Sequence, residues 1–235
     1  MSARRLELFL VLALLAAAVV AICLGESPLS AAQYHQALTD PGSAPGEVLW
    51  TIRLPRVLMA ALIGGGLGLA GATMQGLLRN PLAEPGVLGV SASAGLGASL
   101  AIAGGLAALP GAIELAALIG ALLAGAVVVG LAARFREPEV LILFGVALSA
   151  FAGALTALVF NLSPSPVATA EVLAWLMGSV ENRDFTDILR ALPPMAIGFA
   201  LCLYAAKGLR MLTLGEEAAQ MSGPVPSPSM KGMMG

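Results

Sequence analysis

Long apolar runs alternate with short polar clusters along the whole chain. An apolar run of about 20 residues is long enough to cross the hydrocarbon core of a bilayer as a helix. The pattern therefore predicts an all-α fold, a polytopic helical membrane protein with about six transmembrane helices. The predicted spans are residues 6–24, 57–77, 86–106, 113–133, 140–160 and 188–206.

The polar clusters between these runs predict the turns. Residues 26–56 are polar, contain Pro28, Pro41 and Pro45, and are predicted to form an external loop. Asn80-Pro81 and Pro85-Gly86 break helices, so they predict a tight corner between the second and third spans. Shorter breaks are predicted at residues 109–111, at 134–138 and at 163–166, followed by a short helix over 171–178.

Composition agrees with a membrane protein and changes little else. Hydrophobic residues make up 58% of the chain and charged residues 11%, which is about half the charge of a soluble domain. The 28 glycines include runs at four-residue spacing, which favour close packing of membrane helices. Cys23 and Cys202 both fall in apolar runs, so we expect them to be small core residues.

Several chemical functions are excluded by the motifs. Gly66, Gly68 and Gly71 match a dinucleotide-binding fingerprint in letters, but no strand precedes them. No P-loop, no spacing of metal ligands and no nucleophile–base arrangement occurs. We therefore expect no cofactor, no metal site and no enzymatic activity. A net charge of −2 gives no indication of nucleic-acid binding.

Lysine and arginine positions predict the orientation in the membrane. Placing Arg4 and Arg5 in the cytoplasm, as the positive-inside rule favours, leaves an excess of basic residues inside and predicts that both termini are cytoplasmic. The inside then holds Arg4, Arg5, Arg79, Arg134, Arg136, Lys207, Arg210 and Lys231, and the outside holds Arg53, Arg56, Arg183 and Arg190. The outer pair Arg53 and Arg56 runs against this bias, which suggests a use for both.

The corner after the second span carries a family resemblance. Together with two downstream segments, 175–179 and 214–219, it resembles the permease subunits of ATP-binding-cassette importers for iron–siderophores, haem and cobalamin, over nearly the whole chain to about Met221. The positions that carry the resemblance are Arg53, Pro55, Arg56, Gly71, Gln75, Asn80, Pro81, Leu82, Ala83, Pro85, Gly86, Leu88 and Gly89.

The resemblance implies a transport subunit of the bacterial inner membrane. Its expected partners are a cytoplasmic ATPase subunit, a periplasmic substrate-binding protein and a second permease copy or homologue, with membrane lipid around it and a metal chelate as substrate. Arg53 and Arg56 would dock the binding protein, and Ser149 and Thr156 would line the translocation path. Arg134, Arg136 and Glu137 would form a cytoplasmic gate, and Leu214, Gly215, Glu216, Glu217 and Ala218 would contact the ATPase.

Two alternatives stay open at this point. A stand-alone secondary carrier would need an ion-coupling site within the spans, and none is visible. A non-transporting remnant is the second, because permeases of the resembling family have about ten spans. The resemblance divides the chain into a permease domain over 1–221 and an atypical Pro/Gly/Met-rich tail over 222–235. It predicts a truncated permease that inserts but does not import by itself.

Overall fold

Every regular element of the described chain is a helix. The computed structural model describes residues 2–25, 27–78, 80–135, 137–163 and 165–221, with the backbone alone for 207–221. The predicted all-α fold is confirmed within these ranges. The helices are α1 (Ala3–Cys23), α2 (Ala31–Thr39), α3 (Ala44–Glu47), α4 (Leu54–Leu78), α5 (Val90–Ala103), α6 (Ala112–Arg134), α7 (Pro138–Leu162), α8 (Pro166–Met177) and α9 (Phe185–Met221).

Five helical stretches are long and apolar enough to cross a membrane. They coincide with five of the six predicted spans and are Arg4–Cys23, Ala44–Leu78, Ala112–Arg134, Glu139–Leu162 and Phe185–Ala206. The protein is therefore a multi-span membrane protein, built from helices whose backbone hydrogen bonds are satisfied within each segment.

The third predicted span is not one helix. Residues 85–88 form a 3₁₀ turn, and α5 begins only at Val90. Gly89 between them has a φ of 78°, in the left-handed region that a side chain disfavours. This glycine separates the two elements, so the prediction of a continuous helix over 86–106 is wrong. A second left-handed glycine, Gly105, follows the end of α5.

The predicted loop over 26–56 is mostly helical. Ser30 and Gln33 form a capping box at the start of α2, and the Ser43 side chain caps α3. Residues 48–53 then form a π-helical segment, in which the amide of Leu54 donates to the carbonyl of Leu49, and this segment continues directly into α4. Pro55 explains this π-helical turn, because it lacks an amide hydrogen and its ring would clash with the carbonyl four residues earlier in an α-helix.

The last helix extends further than the sequence predicts. We expect the sixth span to end near residue 206 and the start of an ATPase-coupling loop to follow over 207–221, but α9 continues to Met221 and contains Pro193 and Pro194. Backbone hydrogen bonding can continue through polar residues once they leave the membrane, so hydropathy does not mark the end of the helix. The predicted tail over 222–235 lies outside the described residues.

Glycines allow the helices of the central bundle to approach each other closely. A Cβ atom on Gly97 of α5 would overlap the carbonyl oxygen of Ala116 on α6, and one on Gly120 would overlap that of Ser93. Gly145 of α7 lies in the same way against the carbonyl of Val87. By contrast, among the described residues only the local backbone of α4 itself lies within 4 Å of a Cβ placed on Gly64 or Gly68. The packed core is thus centred on α5.

Candidate functional site

Arg53 lies at the junction of α1, α2 and α4 and is almost completely buried. Only 5% of its surface is exposed. One guanidinium nitrogen donates to the carbonyls of Ile22 at 2.8 Å and Cys23 at 3.3 Å, and to the hydroxyl of Tyr34 at 2.7 Å. The other terminal nitrogen donates to the carbonyl of Ser27. Arg53 therefore connects four segments of the chain through one side chain.

The acceptors explain why a charged group is stable here. The last carbonyls of a helix have no partner within the helix and carry the negative end of its dipole. Arg53 supplies both hydrogens and positive charge to the last turn of α1. The Tyr34 hydroxyl donates to the carbonyl of Cys23 at 2.9 Å while it accepts from Arg53. The cluster is therefore a shared cap on the end of α1.

Arg56 follows three residues later and has a different environment. Arg56 is half-buried, and it takes no part in the hydrogen bonds that Arg53 makes. Its buried Nε has no hydrogen-bond partner among the described residues. We expected the two arginines to present guanidinium groups together. In the structure the two differ in burial and bonding, because the terminal nitrogens of Arg53 donate to acceptors within the chain.

The two predicted path residues of α7 face into the protein. The Thr156 hydroxyl donates to the carbonyl of Ala152 at 2.9 Å, and that of Ser149 donates to Gly145 at 2.9 Å. Thr156 is only 8% exposed. Bonds to the preceding turn are a common way for such hydroxyls to be satisfied within a helix. The structure thus does not place Ser149 and Thr156 on an outer surface.

Thr156 instead borders a cavity between α5, α7 and α8. The cavity has a volume of about 260 Å³ and a largely apolar lining. Its lining residues are Ser91, Ala92, Gly95, Gly153, Thr156, Ala157, Phe160 and Leu176. Because the Thr156 hydroxyl is already bonded within α7, the cavity offers shape more than polar recognition.

The opposite side of α7 is exposed, and one stripe along it carries mainly small residues. Positions that recur every three or four residues share one face of a helix. The exposed members of this face are Leu143, Ala147, Ala150 and Ala154, with Asn161 at its end. We call this set the outer face of α7. Sequence reasoning missed it because it searched the span for polar side chains.

The predicted gate lies in the turn between α6 and α7. Arg134 is the last residue of α6 and is exposed, where its charge complements the carboxyl-terminal end of the helix dipole. Glu137 is the exposed residue immediately before α7, and its side chain makes no capping hydrogen bond. Arg136 lies outside the described residues. Arg134 and Glu137 are thus placed at one turn, as the sequence predicts.

A charged cluster at the start of α9 was not singled out from the sequence. Asp187 lies 3.8 Å from Arg183 and 3.7 Å from Arg190, and its amide donates to the carboxylate of Asp184 at 2.9 Å. The spacing of Asp184 and Asp187 is that of a capping box, which is the signal that could have identified it. The partly exposed pairs contribute little to stability.

The predicted ATPase-contacting residues fall in the last part of α9. The backbone over 214–218 is helical, and the side chains there lie outside the described residues. In the part of the chain that the structure describes, no group of three or more His, Cys, Asp or Glu side chains could hold a metal ion.

Similar proteins extend over nearly the whole chain. It is 36% identical over 223 residues to the Fe(3+) dicitrate transport system permease protein FecD of Escherichia coli, which amounts to 93% of this chain and 67% of that protein. It is 35% identical over 222 residues to the vitamin B12 import system permease protein BtuC of Klebsiella pneumoniae, covering 94% of this chain and 64% of the relative. The chain thus spans about two thirds of the length of these relatives.

The fold is also similar to a solved structure. A structure described as an inward-facing conformation of a metal-chelate type ABC transporter superposes with a TM-score of 0.76 and 29% sequence identity, covering 94% of this chain and 68% of the other. Residues 12–229 match the sequence model of the FecCD transport family. On these findings, the chain belongs to the FecCD transport family.

Proposed function

We propose that the protein is a membrane-spanning permease subunit of an ATP-driven importer for a metal chelate. The observation that carries this proposal is the family match over residues 12–229. The names of the relatives, which refer to ferric dicitrate and vitamin B12, support a chelated metal as the substrate class. The structural neighbour, a metal-chelate type transporter, supports the same class.

The partners follow from this role. A separate ATPase subunit supplies the energy, a periplasmic binding protein delivers the chelate, and a second permease copy or homologue completes the path. The proposed location is the bacterial inner membrane, with the amino terminus of α1 in the cytoplasm. The excess of lysine and arginine on that side supports the orientation. The turn after α1 and helices α2 and α3 then lie on the periplasmic side.

Two contact regions are proposed at opposite sides of the membrane. On the periplasmic side, Arg56 is the arginine of the pair that we assign to the binding protein. On the cytoplasmic side, the turn with Arg134, Arg136 and Glu137 is proposed as the gate, and residues 214–218 as the contact with the ATPase. A helical backbone over 214–218 supports a rigid contact element.

We propose that the outer face of α7 lines the path, in place of Ser149 and Thr156. Small side chains leave room for a bulky chelate and place no strong binding group in its way. The exposure of Ala147, Ala150 and Ala154 supports this assignment. It also fits a path that lies between two permease subunits rather than within one.

Gene disruption tests the transport function. Deleting the gene in its host should abolish energy-dependent uptake of one chelate among labelled ferric citrate, a ferric siderophore, haem and cobalamin, and the gene on a plasmid should restore it. Normal uptake of all four chelates in the deletion strain would contradict the proposal. A parallel pull-down with the chain as bait should recover an ATP-binding-cassette ATPase.

Cysteine labelling tests the path assignment separately. Ala150→Cys and Ala154→Cys should react with a water-soluble thiol reagent in the assembled transporter, and a bound chelate should slow the reaction. Thr156→Cys, on the opposite side of the same helix, is the matched control and should stay unreactive. Faster labelling at residue 156 than at 150 and 154 would contradict this assignment and would indicate that the inward side of α7 lines the path.

A further inference from the structure

Arg53 holds together a region that cannot be stable by local interactions alone. Helix α2 has only nine residues, and isolated helices of this length are marginal in water. Besides its packing against α3, two hydrogen bonds hold it: the Tyr34 hydroxyl is bonded to α1 and Arg53, and the indole of Trp50 donates to the carbonyl of Ala37 at 2.9 Å. Both hydrogen bonds connect α2 to the π-helical segment, one through Trp50 and the other through Arg53 at its end.

The guanidinium group occupies a space that fits it closely. A Cβ atom on Gly25 would lie 2.9 Å from a terminal nitrogen of Arg53 and 3.0 Å from its central carbon. The acceptors lie on three sides: the end of α1, the turn after it and the hydroxyl on α2. A lysine carries the same charge but not the planar fork that reaches several acceptors at once. The geometry therefore requires an arginine and not merely a cation.

We propose that Arg53 is a positioning residue that fixes α1, α2 and the π-helical segment as one rigid periplasmic platform beside Arg56. This inference rests on the proposed function for its link to docking. In this proposal Arg53 acts through the platform, by the hydrogen bonds that it makes within the chain. A rigid platform lowers the ordering cost of association, so its loss increases the dissociation rate of the partner more than it slows association.

Four variants separate position from charge. Arg53→Lys keeps the charge and loses the fork, while Tyr34→Phe removes one hydroxyl and no charge. Gly25→Ala pushes against the guanidinium and leaves every donor and acceptor in place. Arg190→Gln is the matched control, because it removes a charge from an exposed arginine that our orientation places on the same side.

Hydrogen exchange in lipid nanodiscs measures the platform without any partner. Arg53→Lys and Gly25→Ala should accelerate exchange of the amides of residues 33–39 by about tenfold or more, and Tyr34→Phe by a smaller factor. Exchange in α6 should stay at the wild-type rate, which shows that each variant is folded. Wild-type exchange over 33–39 in both Arg53→Lys and Gly25→Ala would overturn the proposal.

Binding kinetics with the periplasmic binding protein of the same transport system test the functional link. Arg53→Lys and Gly25→Ala should raise the dissociation rate by about tenfold while association and its salt dependence change little. A fifth variant, Arg53→Gln, removes the charge as well. Normal docking of Arg53→Lys with defective docking of Arg53→Gln would show that charge alone matters, and would also overturn the proposal. If the wild-type chain does not bind this protein, the proposed function fails, and the exchange measurement still decides whether the platform exists.

Discussion

Replacing Gly97 with alanine should force α5 and α6 apart. The new methyl group would overlap the carbonyl oxygen of Ala116, which belongs to the backbone of α6 and cannot rotate away. An ordinary contact between carbon and oxygen is about 3.3 Å or longer. The two helices would have to separate or slide by roughly 1 Å to restore it, and a gap of that size removes a quarter to a half of the local van der Waals attraction.

The magnitude follows from two opposing terms. Alanine favours a helix over glycine by up to about 1 kcal/mol, and this gain applies at any position within a helix. Overpacking a close contact costs about 1–3 kcal/mol. Gly68→Ala on α4 receives only the first term, because no described atom outside the local backbone of α4 lies within 4 Å of the added Cβ. The free energy of unfolding should therefore differ between the two variants by about 1–3 kcal/mol.

Unfolding in mixed micelles provides the measurement. The purified chain in dodecyl maltoside is titrated with sodium dodecyl sulfate, and helix content is followed by circular dichroism. Gly97→Ala should lower the midpoint and Gly68→Ala should leave it unchanged or raise it. Gly120→Ala, which meets the carbonyl of Ser93 at the same crossing, should resemble Gly97→Ala.

The double variant provides the sharpest test. Once one methyl group has separated the helices, the second finds more room, so Gly97→Ala with Gly120→Ala should cost less than the two single changes together. Equal midpoints for Gly97→Ala and Gly68→Ala would refute the close crossing of α5 and α6. Strict additivity would show that the two glycines do not share one contact.

Three further substitutions test other parts of the fold by the same titration. Gly89→Ala should destabilise by about 1–3 kcal/mol, because its φ of 78° is strained for alanine and its Cβ would press on Leu148; wild-type stability would refute that backbone. Trp50→Phe should lose the hydrogen bond to Ala37 and destabilise by about 0.5–1.5 kcal/mol, whereas no change would show that the indole is not an anchor. Asp187→Asn should change stability by less than about 1 kcal/mol, and a larger loss would mean that its pairs with arginine are shielded from water.

Hydropathy predicted the long helices because an apolar segment that crosses the bilayer finds no water there. It has to make its backbone hydrogen bonds within itself, as a helix does. It did not predict the break at Gly89. A left-handed glycine and a helical glycine look alike in a sequence, and here the contacts of α7 with residues 87–89 decide between them. The helix over 31–39 could have been identified from Ser30 and Gln33, whose spacing is that of a capping box.

The role of Arg53 could not be predicted from the sequence for a different reason. Its acceptors are mostly backbone carbonyls of residues that precede it by 26–31 positions. Any residue type supplies a carbonyl, so no side-chain pattern marks these partners. Likewise, the family resemblance indicated α7 as the path helix, but the side of the helix that is exposed depends on how α5 packs against it.

The shortness of α5 affects how the protein responds to bilayer thickness. Its 14 residues extend about 21 Å, whereas a typical hydrocarbon core measures about 30 Å. The helix therefore cannot reach both headgroup layers, and neighbouring helices cover most of its residues. In thicker or thinner membranes the hydrophobic mismatch should be absorbed by changes in the tilt of α1 and of residues 185–206 of α9, which present large apolar side chains outward. The unit of α5, α6 and α7 should keep its internal geometry across membranes of different lipid composition.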